Sequence, residues 1–169
     1  MELKEVLLKR RSVRKFTEEP VSEEMIDELL HAAMSGPSAC NRKPWEFYVV
    51  TNKEKLEELK GASKFTKMSS PLAIVICGNL MRALPMQLAS YWIQDCSAAI
   101  ENILLRVTDL GLGAVWMGIS PLEDRMEIVR NILNIPATLK AFALVPCGYP
   151  AEERPQQDRY DKTRIHYVG

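Results

Sequence analysis

Pro71 is followed by Leu72, Ala73, Ile74, Val75, Ile76 and Cys77, six apolar residues without interruption. Successive side chains of a strand point to opposite faces, so a strand with this content has no face to offer to water. The run is far short of the roughly 20 residues needed to cross a bilayer. It predicts a central strand buried above and below, and no membrane partner is expected. Whatever else the chain forms has to cover both of its sides.

Helices suited to that task flank it. Ser22 is a candidate N-cap with Glu23 and Glu24 in the first turn. Met25, Ile26, Leu29, Leu30 and Ala33 then recur at helical spacing up to the stop signal Gly36-Pro37. The longest candidate runs from about Ser90 to Leu110, and Gly111 stops it. Its stripe of Trp92, Ile93, Cys96, Ala99, Ile100, Ile103, Leu104 and Val107 is broad enough for burial against a sheet and a second subunit. A short helix over Glu2–Arg10 is expected to turn Leu3, Val6 and Leu7 inward. Two capping boxes, Thr51–Glu54 and Ser120–Glu123, predict helices reaching Gly61 and Leu133, the second with Pro121 at its first position. Trp45–Val50, Gly113–Ile119 and Ala141–Pro146 are the remaining strand candidates.

Helices and strands thus alternate through one domain, residues 1–150, which implies a sheet with helices on both faces. Periodicity leaves a doubly wound parallel arrangement open. After Pro150 the composition turns polar, and residues 151–169 are expected to be a tail of the same domain that docks through Tyr160, Ile165, Tyr167 and Val168.

At 169 residues, 47% of them hydrophobic, the chain has material for one well-buried core. Its 22 basic residues balance 22 acidic ones, which removes the electrostatic reason to expect nucleic acid as a partner. The stretch Met1–Glu5 lacks the apolar core of a signal peptide, so the cytoplasm is the expected location. The four cysteines show no Cys-x-x-Cys spacing, and His31 and His166 sit near no cysteine or carboxylate pair at ligand spacing. Neither a metal site nor a disulfide framework is predicted.

Against that neutral background two basic clusters stand at opposite ends: Arg10, Arg11, Ser12 and Arg14, and then Lys162 with Arg164. Arginine forks match phosphate oxygens in pairs, and a serine hydroxyl adds a donor. A plainer use of Arg10 and Arg11 is to complement the C-terminal dipole of the first helix. Between the clusters lie Pro37, Ser38, Asn41, Pro44 and Trp45, and further on Gly111, Leu112, Gly113, Trp116, Met117 and Gly118.

In this order and spacing the segments resemble the FMN-dependent nitroreductase family, from about Leu3 to Arg164. The resemblance implies an α+β fold, a three-layer α/β/α sandwich with a mixed, largely antiparallel central sheet. It implies a homodimer with flavin at the interface. FMN is then the cofactor and NADH or NADPH the donor, with hydride delivered to flavin N5. A small-molecule acceptor, nitroaromatic or quinone, is reduced in the second half of a ping-pong cycle. By the same resemblance Arg10, Ser12, Lys162 and Arg164 hold the phosphate, while Arg11 adds charge or meets the partner chain. Arg14 reaches the ribityl chain or the N1–O2 edge. Pro37 and Ser38 meet the ring from the neighbouring subunit, Asn41 meets the pyrimidine edge or ribityl chain, and Lys67 approaches the pyrimidine edge. Met117 and Gly118 lie under the ring, where glycine permits close backbone approach. No catalytic side chain is assigned, because the cofactor carries the chemistry.

The chain departs from the family pattern in three places. Lys43 stands where glutamine is common, Met117 replaces an acidic residue of some members, and Asn79–Tyr91 is too short for extra covering helices. A more open site is expected. The same cofactor would also serve a dehalogenase, an enoyl-type reductase or an oxidase, or a flavin-binding protein without turnover.

Overall fold

A computed structural model describes residues 1–169 and puts the apolar run where its composition requires. β2 (Leu72–Asn79) is buried through its first seven residues. Its neighbours are β1 (Trp45–Val50) and β5 (Leu139–Gly148), and the outer side of β5 pairs with two short strands, β3 (Gly113–Ala114) and β4 (Met117–Gly118). The two faces of β2 enter different cores. Leu72, Ile74 and Ile76 join a cluster of 22 buried residues with α2 (Glu23–Met34) and α4 (Tyr91–Asp109). Ala73, Val75 and Cys77 join a second cluster of 14, shared with α3 (Lys53–Leu59) and α5 (Glu123–Leu133). The predicted three-layer α/β/α arrangement follows directly from that alternation.

All four strand ladders are antiparallel, so the doubly wound parallel alternative is excluded. The sheet is therefore antiparallel throughout and not mixed as expected; the one parallel pairing is an isolated bridge between Ser12 and Ala114, outside the strand ladders. Strand direction depends on where the chain re-enters the sheet, and a strand buried on both faces reads alike in either sense.

Several local expectations shift. In α1 (Leu3–Lys9) only Val6 is buried; Leu3 is 68% exposed and Leu7 54%. The helix is latched to α4 at both ends, by the Met1 ammonium on Asp109 at 2.7 Å and by Arg10 facing Glu101 at 3.5 Å. Asn52, not Thr51, caps α3, its side chain accepting the Lys55 amide at 3.0 Å. α5 begins at Glu123 without a side-chain cap, because Ser120 stays on the sheet: its amide and that of Ile119 both donate to the Phe142 carbonyl. The stretch predicted as one strand, Gly113–Ile119, is two, and Trp116 between them lies edge-on to Phe142 with centroids 5.8 Å apart. Gly78 is where α4 comes down onto the sheet, since a Cβ there would lie 2.2 Å from the Trp92 ring.

Candidate functional site

The N-terminal cationic segment is laid along the outer sheet edge. The Val13 amide donates to the Ala114 carbonyl at 2.9 Å, and Thr17 does the same to Tyr149. Gly113 permits this approach: a Cβ on it would stand 2.8 Å from both Cβ and Cγ1 of Val13. Arg10 therefore sits half-buried at the end of α1, and Ser12 lies beside β3. Arg11 donates from Nε to the Pro155 carbonyl at 2.7 Å and from Nη1 to the Arg10 carbonyl at 2.6 Å. Its Nη2 is buried and has no partner in the chain. Partial burial, then the charges of Arg159 and Arg10, lower the Arg11 pKa, yet a guanidinium this basic stays protonated. A buried, unpaired guanidinium nitrogen among like charges calls for an anion.

Arg14 is exposed, with its backbone amide on Glu152 at 3.2 Å. Lys162 and Arg164 form a 3₁₀ turn, Lys162–Arg164, far out on the tail. Arg164 pairs with Asp161 at 3.2 Å, and neither cation has a hydrogen bond or ion pair with the Arg10–Arg14 segment of its own chain. Arg11 is thus tied to the root of the tail, while Lys162 and Arg164 stand away from it.

The second predicted element, the loop from Gly36 to Pro44, is bound closely to α4 and its lead-in. A Cβ on Gly36 would come within 3.2 Å of the Ala33 carbonyl and 3.4 Å of the Ala99 amide, so its root lies flat on α4. The Ala39 amide donates to Asp95 at 2.8 Å, and Arg42 donates to the Arg82 carbonyl at 2.8 Å. Ser38 accepts the Lys43 amide through its hydroxyl at 3.0 Å. Cys40, Asn41 and Lys43 all have left-handed backbones, with φ of 49°, 54° and 49°. For Cys40 and Lys43 this conformation costs roughly 1–3 kcal/mol each, whereas asparagine tolerates it better. Pro37, Asn41 and Lys43 are exposed, whereas Trp45 is a core residue.

The third element is the end of β4. Met117 turns its side chain into the second core, leaving only backbone at the surface. Gly118 is exposed, and nothing lies nearer to its Cβ direction than the Ser120 carbonyl at 4.0 Å. Three residues missed by sequence reasoning gather here. Arg125 donates to the Gly118 carbonyl at 3.3 Å, with its guanidinium 5.9 Å from the Phe65 ring centre, and Lys64 approaches that ring at 5.0 Å. Nothing in the local spacing marks Phe65 or Arg125, which come together only through packing. Lys67 is exposed two residues beyond Phe65.

Two clefts lie elsewhere: one of about 260 Å³ between α5 and the start of β5, the other of about 350 Å³ between α1, α2 and α4. No thiol competes as a nucleophile in the core, where burial pushes Cys77 and Cys147 up to about 12. Cys40 alone is exposed.

A sequence profile described as the nitroreductase family matches residues 7–70 and 68–149. The chain belongs to the nitroreductase family. Among its relatives, a provisionally named NADH dehydrogenase/NAD(P)H nitroreductase of Methanothermobacter thermautotrophicus is 44% identical, covering 98% of this chain and 86% of that one. A crystal structure from Parabacteroides distasonis, provisionally named in the same way, superposes with a TM-score of 0.93 at 37% identity over 100% of this chain and 99% of the other. An FMN-dependent nitroreductase of Clostridium difficile gives 0.88 at 30% identity, over 97% and 98%. The family's fold is the α+β sandwich described above.

Proposed function

We propose that this nitroreductase-family chain is an FMN-dependent oxidoreductase that takes reducing equivalents from NADH or NADPH. Nitroaromatics or quinones are its acceptors, reduced in a separate half-reaction. The observation that carries this reading is the Ser12–Ala114 bridge, which lays the Arg10–Arg14 segment along the same sheet edge that ends at Gly118. One end of that edge is cationic and holds an unpartnered guanidinium nitrogen; the other is exposed backbone with open space over it. A flat cofactor with a phosphate tail fits this donor set. The FMN-dependent relative at 30% identity supports the choice.

Arg10, Arg11 and Ser12 hold the phosphate, and Lys162 and Arg164 close over it. Arg14 and Lys67 place positive charge toward the ribityl chain and pyrimidine edge. The backbone of Met117 and Gly118 lies under the ring, and Pro37, Ser38 and Asn41 come from the neighbouring subunit. FMN supplies the two-electron chemistry that no side chain here offers. Residues 1–150 form the cofactor domain, and residues 151–169 wrap the second copy of a homodimer. The exposed Leu3 and Leu7 of α1, with Tyr160, Tyr167 and Val168 of the tail, give that second copy apolar surface to cover. No helix is long and apolar enough to cross a membrane. The cytoplasm, which holds both reduced donors, is the proposed location.

Anaerobic stopped-flow mixing of the FMN-loaded protein with NADH and with NADPH tests the reading. Rapid loss of the oxidised flavin absorbance, restored on mixing with a quinone, is the expected result. Parallel double-reciprocal plots would establish the alternating order. Flavin left oxidised by both donors would mark a binder without turnover and overturn the proposal.

A further inference from the structure

Asp95 has no part in the chemistry proposed above, yet it holds the loop that serves it. It lies in the second turn of α4 and is only 5% exposed. The other buried polar residue, Thr66, is absorbed locally by the Lys60 and Ser63 carbonyls and the Ser63 amide. Asp95 has no basic partner, since none of the ion pairs in the chain includes it. Its Oδ1 instead accepts the Ala39 amide at 2.8 Å, across 56 residues of sequence. A carboxylate buried without a counter-ion is unfavourable by itself.

What it grips is unfavourable too. Ala39 opens the 3₁₀ turn Ala39–Asn41, between Ser38 and Asn41, and is followed by the left-handed Cys40 and Asn41. The Cys40 side chain in that conformation crowds the following carbonyl, so the turn relaxes unless its surroundings hold it. The remaining ties lie at its margins, at Gly36 on Ala99 and at Arg42 on Arg82. Only the Asp95 bond reaches a residue of the turn itself from another element.

We propose that Asp95 is a positioning residue that preorganises the Gly36–Pro44 loop, through the Ala39 amide, so that Ser38 and Asn41 meet the partner's flavin without reordering. This rests on the FMN reading given above. Two strained features joined by one hydrogen bond stabilise the fold little; their gain is a binding surface ordered in advance.

The test combines hydrogen exchange of the apo protein over residues 38–43 with the FMN dissociation constant. Asp95→Asn keeps an oxygen acceptor of the same shape, and Asp95→Ala removes it. Asp95→Ala is expected to speed exchange and weaken FMN binding, each about tenfold, with Asp95→Asn restoring both to within about threefold. If Asp95→Ala does not fold, Ala39→Pro removes the donor instead. Ser38, with ψ of 150°, already has the backbone that precedes proline, so the same two losses are expected. Faster exchange with unchanged FMN affinity would reduce Asp95 to a structural cap and overturn the proposal. Unchanged exchange, or an Asp95→Asn variant as impaired as Asp95→Ala, would overturn it as well. A wild-type protein that binds no FMN would bring down the cofactor reading itself, which dialysis reveals before any variant is made.

Discussion

The Gly36–Pro44 loop and the tail after Pro150 are both assigned to the flavin interface, and their own chain treats them in opposite ways. The loop is pinned at Gly36, Ala39 and Arg42 and holds three left-handed residues in place. The tail is held only at its root, by Ala151 on Lys15, Glu152 on Arg14 and Pro155 on Arg11. Beyond that it is exposed, with Tyr167 at 90% and Val168 at 98%. A loop ordered by its own core adds no ordering cost when a cofactor arrives. A tail held by its own chain only at its root would lose its entropy together with association if a partner orders it. On the proposed reading, the first would make flavin binding tight and the second would make it depend on the partner.

The most severe way to break this comparison is to truncate after Pro150. Flavin and dimer are then expected to be lost together, measured by sedimentation equilibrium with flavin absorbance. A flavin-loaded monomer, with or without the tail, would show that the tail closes nothing. Next comes Arg10→Ala with Arg164→Ala, which removes one cation from each end of the proposed clamp. Each charge-assisted contact contributes about 1.5–3 kcal/mol, so equilibrium dialysis is expected to show FMN binding weakened about a hundredfold or more, with the fold retained. Unchanged affinity would dissolve the link between tail and phosphate.

Two glycines sharpen the same contrast at the sheet edge. Gly113→Ala drives a methyl into Val13, for about 1–3 kcal/mol of stability by urea unfolding, and lifts the cationic segment from β3, so FMN affinity falls with it. Gly118→Ala meets open space and is expected to leave stability within about 0.5 kcal/mol, while the added methyl sits under the ring and weakens FMN binding. Loss of stability without loss of affinity in the first, or the reverse of either pattern, would separate this edge from the cofactor.

The smallest effect belongs to the α1 latch. The Met1 ammonium, and then Arg106, hold the Asp109 carboxyl below its usual range. A carboxyl depressed in the folded state stabilises above its unfolded value, near 3.9, and loses that contribution as pH falls through the lower folded one. Because the pair is near the surface, Asp109→Asn is expected to cost well under about 1 kcal/mol at neutral pH and to flatten the acid limb of the stability curve. Thermal unfolding across that range measures both.

Much of this was legible from local pattern. An unbroken apolar run declared a strand with two buried faces, and 3.6-residue stripes declared the helices that cover it. The order of short polar motifs pointed to one cofactor family. Burial is a property that each residue carries through its own composition and spacing, so periodicity reveals it. Which edge the chain returns to is not such a property. The antiparallel sense of the sheet, the bridge from Ser12 to Ala114, the exposure of Leu3 and Leu7 and the gathering of Arg125 with Phe65 and Gly118 required distant segments to meet. Asp95 shows the limit most clearly. In sequence it is one polar residue among the apolar ones of a long helix; its meaning appears only when Ala39, 56 positions away, turns an amide toward it. A hydrogen bond of that kind leaves no periodic trace, because its two ends are brought together by the packing of everything between them.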